Sequence, residues 1–270
     1  VIWFLLALAA GVGALAVGLI GFGSSLVVLP TLAIAFPTMF ASHVALRLAA
    51  GTTLATMAVG AIAAGITQAR GGNVYWPLLR LVIAPYFVGA LLGPWVTRFL
   101  PVTALRFYIA GILVLLGLWA LRPHRSASSN GRDWQRHKPE IGVVLFAIGL
   151  ASSAAGIASG VFAIPYLSRF ALPLRTVIGT STVGAAFYSV FGMCGYISAG
   201  WGTPTLPSWS LGFVYLPAFA VMSVAGVLCA PLGVRLARQV NDDRLRWVLA
   251  LFLLTAALVI AWPAATGHFI

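Results

Sequence analysis

At 270 residues, 61% hydrophobic and only 7% charged, the chain carries far more apolar surface than a water-soluble domain can cover. Several apolar runs approach the ~20 residues that a helix needs to cross a bilayer. This excludes an ordinary soluble enzyme or binding module, and a chain that must satisfy its own backbone in lipid reads as an all-α, polytopic transmembrane protein. The formal net charge of +12 comes from basic residues dispersed among the loops between spans. That pattern controls topology, whereas a nucleic-acid partner calls for a clustered basic patch.

The apolar segments fall near residues 1–20, 23–37, 40–67, 76–100 and 103–121, then near 141–157, 160–172, 174–199, 209–235 and 245–262. The first, Val1 to Ile20, lacks the charged leader region of a signal peptide and reads as a mature span. The second and seventh are short for a crossing, so each is either a compressed span or half of a re-entrant hairpin. Between the two sets of five lies a polar linker, 122–140, with Arg122, Arg125, Arg132, Arg136 and Lys138. It divides the chain into a first transmembrane repeat, 1–121, and a second, 141–270.

The reason to call them repeats is a recurring break. Gly21-Phe22-Gly23-Ser24-Ser25 leads to Pro30, and 135 residues later Gly156-Ile157-Ala158-Ser159-Gly160 leads to Pro165. Glycine weakens a helix and proline removes a donor, so the freed amides and carbonyls must find partners within protein or around a polar cavity. Further matches follow in order. Ala50-Gly51-Thr52-Thr53 answers Ile178-Gly179-Thr180-Ser181, with Arg47 and Arg175 each four residues before the glycine; Pro85 answers Pro217; and Arg98 followed by Leu105-Arg106 answers Arg238 followed by Leu245-Arg246.

The loops richest in Arg and Lys, the linker and the stretch from Arg235 to Arg246, are expected in the cytoplasm, and the uncharged loop from Ala199 to Ser208 outside. Counting back from the linker puts Arg98 to Arg106 outside although its repeat mate lies inside. The two copies are therefore expected to have inverted topology, each with a Gly/Pro-broken helix.

All four acidic residues, Asp133, Glu140, Asp242 and Asp243, stand in loops or at span edges. Carriers of cations usually need a carboxylate within the membrane, so the pattern favours an anion. With no zinc motif, phosphate loop or nucleophile elbow, neither a metal, a cofactor nor catalysis is expected. Helix restarts after the breaks would aim amides and the positive dipole end inward, with Ser24, Ser25 and Ser159 as hydroxyl donors beside Gly23 and Gly160. Thr52, Thr53, Thr180 and Ser181 place further hydroxyls mid-span, where they bond either their own helix's carbonyls or a ligand. Arg47 and Arg175 begin these helices, where a cation opposes the dipole unless an anion is near, and His43 is the one histidine beside a matched motif. Trp76, Trp95, Trp201, Trp209, Trp247 and Trp262 cluster at segment ends as interfacial anchors do.

Two Gly-rich breaks ending in Pro, each followed by a helix with Gly-Thr-Thr or Gly-Thr-Ser, resemble the TauE/SafE family of sulfite and organosulfonate exporters over nearly the whole chain. The resemblance implies a permease of the bacterial inner membrane for small sulfur anions such as sulfite, sulfoacetate or a related sulfonate. The glycine cluster is thinner here, with Ser24-Ser25 after Gly23 and Ala158-Ser159 before Gly160, which bears on the size and polarity of the substrate. The expected activity is export of such an anion by alternating access between the breaks, with small anion and lipid as partners. The competing readings are an anion channel using the same breaks as a filter and a membrane-embedded enzyme acting on lipid.

Overall fold

The computed structural model describes residues 2–20, 24–120, 133–170, 172–236 and 242–266. Helix makes up 82% of it, in keeping with an all-α membrane protein. Ten helices succeed one another among the described residues: α1 (Ile2–Ile20), α2 (Ser24–Ala35), α3 (Ser42–Arg70), α4 (Trp76–Phe99), α5 (Val102–Ala120), α6 (Lys138–Ala155), α7 (Gly160–Leu167), α8 (Leu174–Gly200), α9 (Leu216–Leu236) and α10 (Asp242–Thr266). The only sheet among them is one two-residue hairpin, Ser210–Leu211 with Val214–Tyr215. Five helices, α3, α4, α5, α6 and α8, are long and apolar enough to cross a membrane. Large apolar side chains stand outward, Phe4 72% and Phe99 80% exposed, as on a surface solvated by lipid. All six tryptophans expected at the interfaces are exposed.

The two short segments are helices of 12 and 8 residues, which rise only about 18 and 12 Å. Neither crosses. At one end of the bundle the Trp3 ring, at the start of α1, lies 6.2 Å from Tyr215, and Phe36 and Phe40, beyond the end of α2, meet the same ring at 5.9 and 5.0 Å. So α2 returns to the end where α1 begins. At the opposite end, the Tyr166 hydroxyl in α7 donates to Glu140 at the start of α6 (3.3 Å), and Phe170 lies 6.0 Å from His137. Thus α7 likewise runs back beside α6. Each pair is a re-entrant hairpin, one opening at each end.

Packing exchanges partners between the halves. Helix α1 lies against α9 and α4 against α6, while α3 pairs with α8 and α5 with α10. The same exchange governs finer contacts. The Tyr75 amide before α4 donates to Thr180 Oγ1 (3.0 Å), and the Tyr215 amide before α9 donates to Thr52 Oγ1 (3.0 Å). Both amides belong to matching tetrapeptides, Val74-Tyr75-Trp76-Pro77 and Val214-Tyr215-Leu216-Pro217. Proline suits the first turn of a helix because its missing donor is an orphan there anyway. Pro77, not Pro85, therefore answers Pro217, since Pro85 sits well inside α4.

Candidate functional site

The break between α6 and α7 lies in the protein interior, with Ser152 to Gly160 all buried. Helix α6 ends at Gly156 in the left-handed conformation (φ 73°), where a side chain would strike Ala50 of α3 at 2.5 Å. The carbonyls freed by the break are capped by tyrosines of α8. The Tyr196 hydroxyl donates to the carbonyls of Ser153 and Ala154 (3.0 Å each), and the Tyr188 hydroxyl to that of Ile157 (2.7 Å). The Ala158 amide donates to Ser25 Oγ of α2 (3.0 Å), a bond between residues 133 apart that ties one hairpin to the other. Ser25 Oγ is the acceptor there, so this bond does not use its proton.

Unpaired donors gather at the same point. Ser159 Oγ is fully buried without a hydrogen-bond partner, as is Ser152 Oγ. The Tyr86 hydroxyl of α4 stands beside Ser159, also buried and outside hydrogen-bond geometry, with its ring 5.7 Å from that of Tyr188. The first amides of α7, those of Gly160 and Val161, have no backbone partner among the described residues. Gly160 is buried, yet a Cβ built on it would touch nothing closer than Ile164 Cδ1 at 3.9 Å. Bulk at Gly160 is therefore not excluded by close backbone approach. The tight position is Gly156.

These groups are neutral and donor-rich, at a helix N-terminus whose dipole favours negative charge. Buried polar groups normally find partners, so an interior cluster that leaves three hydroxyls unpaired is suited to a ligand with acceptor oxygens. Among the described residues no group of His, Cys, Asp or Glu is arranged to hold a metal ion.

Of the residues singled out from sequence, Ser25, Ser159 and Gly160 meet here, with Ser24 at the adjoining start of α2. Gly23 lies outside the described residues. Thr52 and Thr180 hold the exchanged loops, and Thr53 bonds the Ala49 carbonyl of its own helix (2.7 Å). Ser181 is buried and unpaired beside Thr180. Arg47 spends its donors on the end of α4, reaching the carbonyls of Thr97 (3.0 Å) and Leu100 (2.8 Å) and that of His43 (2.9 Å). Arg175 is exposed at the start of α8, and exposed His43 meets Thr205 Oγ1 (3.0 Å). Tyr86, Tyr188 and Tyr196 were not singled out from sequence, because aromatic residues within apolar helices read as packing.

Relatives carry the same description. The chain is 29% identical to a probable membrane transporter protein of Haemophilus influenzae over 92% of its length and 94% of the relative's. It is 27% identical to one of Bacillus subtilis over 68% of this chain and 74% of that one, and 23% identical to one of Methanocaldococcus jannaschii over 86% and 85%. No solved structure gives a significant match. With buried hairpins, five helices long and apolar enough to cross a membrane and transporter relatives in place, the match of residues 5–260 to the family described as sulfite exporter TauE/SafE shows that this chain is a multi-pass membrane transport protein, not an enzyme, and belongs to that family.

Proposed function

We propose that the protein exports a small sulfur-containing anion, sulfite, sulfoacetate or a related organosulfonate, across the bacterial inner membrane by alternating access, binding it where the tips of the two hairpins meet. The observation that carries this reading is the bond from the Ala158 amide to Ser25 Oγ, beside unpaired Ser159 Oγ and Tyr86 hydroxyl groups. It joins both breaks at one donor-rich point. Oxygen-rich anions are what such donors complement, and the family's description as sulfite exporters narrows the class.

The exchanged contacts support two repeats related by a two-fold axis, because the first helix of each half packs against the fourth helix of the other. With one hairpin opening at each end, the copies are inverted and the axis lies in the membrane plane. The Arg- and Lys-rich linker end then faces the cytoplasm, and Tyr215 and Arg98 the periplasm. Ser25, Ser159 and Tyr86 are at most 1% exposed, so a substrate reaches them only after one side opens. That favours a carrier over a standing pore. Inside-negative potential assists exit of an anion by about 2.3 kcal/mol per charge per 100 mV.

The test is counterflow in proteoliposomes with labelled sulfite or taurine-like sulfonates, comparing wild type with Ser159→Ala and Tyr86→Phe. Saturable exchange that weakens in both variants is expected. Flux that does not saturate, or variants that transport as wild type does, would overturn it.

A further inference from the structure

Arg106 lies in the second turn of α5 and is 5% exposed, with its Nε buried and without a hydrogen-bond partner. It is not a lipid anchor. Leu105, Arg106, Ile109, Ala110, Leu113 and Leu116 form the buried stripe of α5, whereas Phe107, Leu115 and Leu118 face outward. Arg98 shows what an anchor looks like at this same end: exposed, with its guanidinium 5.5 Å from the Trp95 ring centre.

An arginine this little exposed, with its Nε buried and unpaired, is costly in a membrane protein, and such groups pair or mark an ion path. Among the described residues no carboxylate pairs with it. Asp133 and Glu140 stand at the linker end, and Asp242 and Asp243 open α10, which pairs with α5 so that Ala250 and Leu254 meet Gly117, far along α5 from Arg106. The level of Arg106 is set by Tyr108, two residues on, whose hydroxyl donates to the Ala151 carbonyl of α6 (2.7 Å). Because α5 and α6 run in opposite directions, moving from Tyr108 back to Arg106 follows α6 from Ala151 onward to its tip. Allowing for the reach of the tyrosine ring, Arg106 therefore stands within about two helical turns of the level of Gly156.

We propose that Arg106 is the cationic ligand of a small oxyanion at or beside the hairpin tips, supplying the charge that the neutral donors there lack. This deepens the transport reading and rests on it. Arg47 and Arg175 do not fill that role: one is committed to carbonyls and the other is exposed.

The experiment follows the melting temperature of the purified full chain, and uptake into vesicles, as sodium sulfite or sodium methanesulfonate is titrated. It compares wild type with Arg106→Met, Arg106→Lys and Ser159→Ala. Anions should stabilise wild type. Arg106→Met should fold with an unliganded melting temperature equal to or above wild type, and its half-saturating anion concentration should rise at least about tenfold. Arg106→Lys should recover part of the response. An Arg106→Met protein that responds as wild type does overturns this inference and leaves the transport reading standing. Loss in Arg106→Met with normal binding by Ser159→Ala keeps Arg106 and overturns the site at the break. Stabilisation of wild type by phosphatidylglycerol vesicles, with none by sulfite or methanesulfonate, assigns the guanidinium to a lipid headgroup and overturns it too. So does an Arg106→Met protein that unfolds while Arg106→Lys regains stability but no anion response.

Discussion

Gly51→Ala and Gly179→Ala should open the transporter toward opposite sides. A methyl group on Gly51 would collide with the Phe213 carbonyl oxygen and come within 3.0 Å of its carbon and of Tyr196 Cβ; one on Gly179 would collide with the Asn73 carbonyl oxygen and approach its Cβ at 2.8 Å. Backbone cannot yield by rotating a side chain, so the loop must lift, and the neighbouring Tyr215 or Tyr75 amide loses its threonine oxygen. Overpacking costs about 1–3 kcal/mol, and an orphaned buried amide about 1–3 more. Better helix propensity of alanine returns about 1 kcal/mol. The net, roughly 1–5 kcal/mol, falls on one latch only. In an alternating-access protein that shifts the population by at least about fivefold toward the state with that end open. The assay is labelling of a single cysteine at Ser25→Cys, in a background lacking Cys194 and Cys229, with an impermeant thiol reagent. Gly51→Ala should speed labelling from outside the cell, and Gly179→Ala from the inner face of inverted vesicles. Equal acceleration from both sides, or none with folded protein, refutes the two-latch reasoning.

Gly156→Ala should abolish folding or lower the melting temperature sharply, because its φ of 73° and the 2.5 Å approach to Ala50 act together, whereas Gly160→Ala should fold normally and weaken transport alone. Expression level and flux measured side by side separate the two. Arg47→Ala should destabilise the protein, by about 2–4 kcal/mol on loss of several charge-assisted bonds to the end of α4, and leave anion half-saturation unchanged; melting curves with and without sulfite check this. A cysteine at Gly202 should react with an impermeant reagent on intact cells, and one in the 122–140 linker should not.

Much of the fold is legible because membrane helices declare themselves by local composition. Ten apolar segments were expected and ten helices lie there, and Gly and Pro marked both breaks. Whether 23–37 crosses or returns was not legible, because direction depends on where Trp3, Phe36 and Phe40 find a common ring, Tyr215, which lies in the other half of the chain. The repeat was partly misaligned for a related reason. Matching prolines span by span picks Pro85, while the pair that does the same job, Pro77 and Pro217, is marked by a short Val-Tyr-x-Pro signature that hydropathy passes over. Serines at the breaks stood out because a break needs partners, and Ser25 accepts from the Ala158 amide of the other half, where donation had been expected. Arg47 was misleading: its place before Gly51 suggested an anion, but its targets are carbonyls 50 and 53 residues away, released where α4 ends.

In the proposed two-repeat transporter the halves share a scaffold but not its polar equipment, and we place specificity in this asymmetry. The latches are interchangeable: a tyrosine amide on a threonine oxygen at each end, at the same 3.0 Å. A symmetric pair is what alternating access requires, since the outward and inward states must be close in free energy for either to be reached. Around the hairpin tips the symmetry fails. Tyr188 and Tyr196 cap the second break from α8, while the corresponding positions of α3, eight and sixteen residues beyond Thr52, hold Gly60 and Gln68. Tyr86 on α4 faces Ser159, and its counterpart on α9, reckoned from the paired prolines, is Gly226. The second half thus brings the rigid, donor-lined break, and the first brings Ser25 and Tyr86 to it. Exchanging the tyrosines for phenylalanine should therefore alter which anion is carried, whereas exchanging latch residues should alter which side is open.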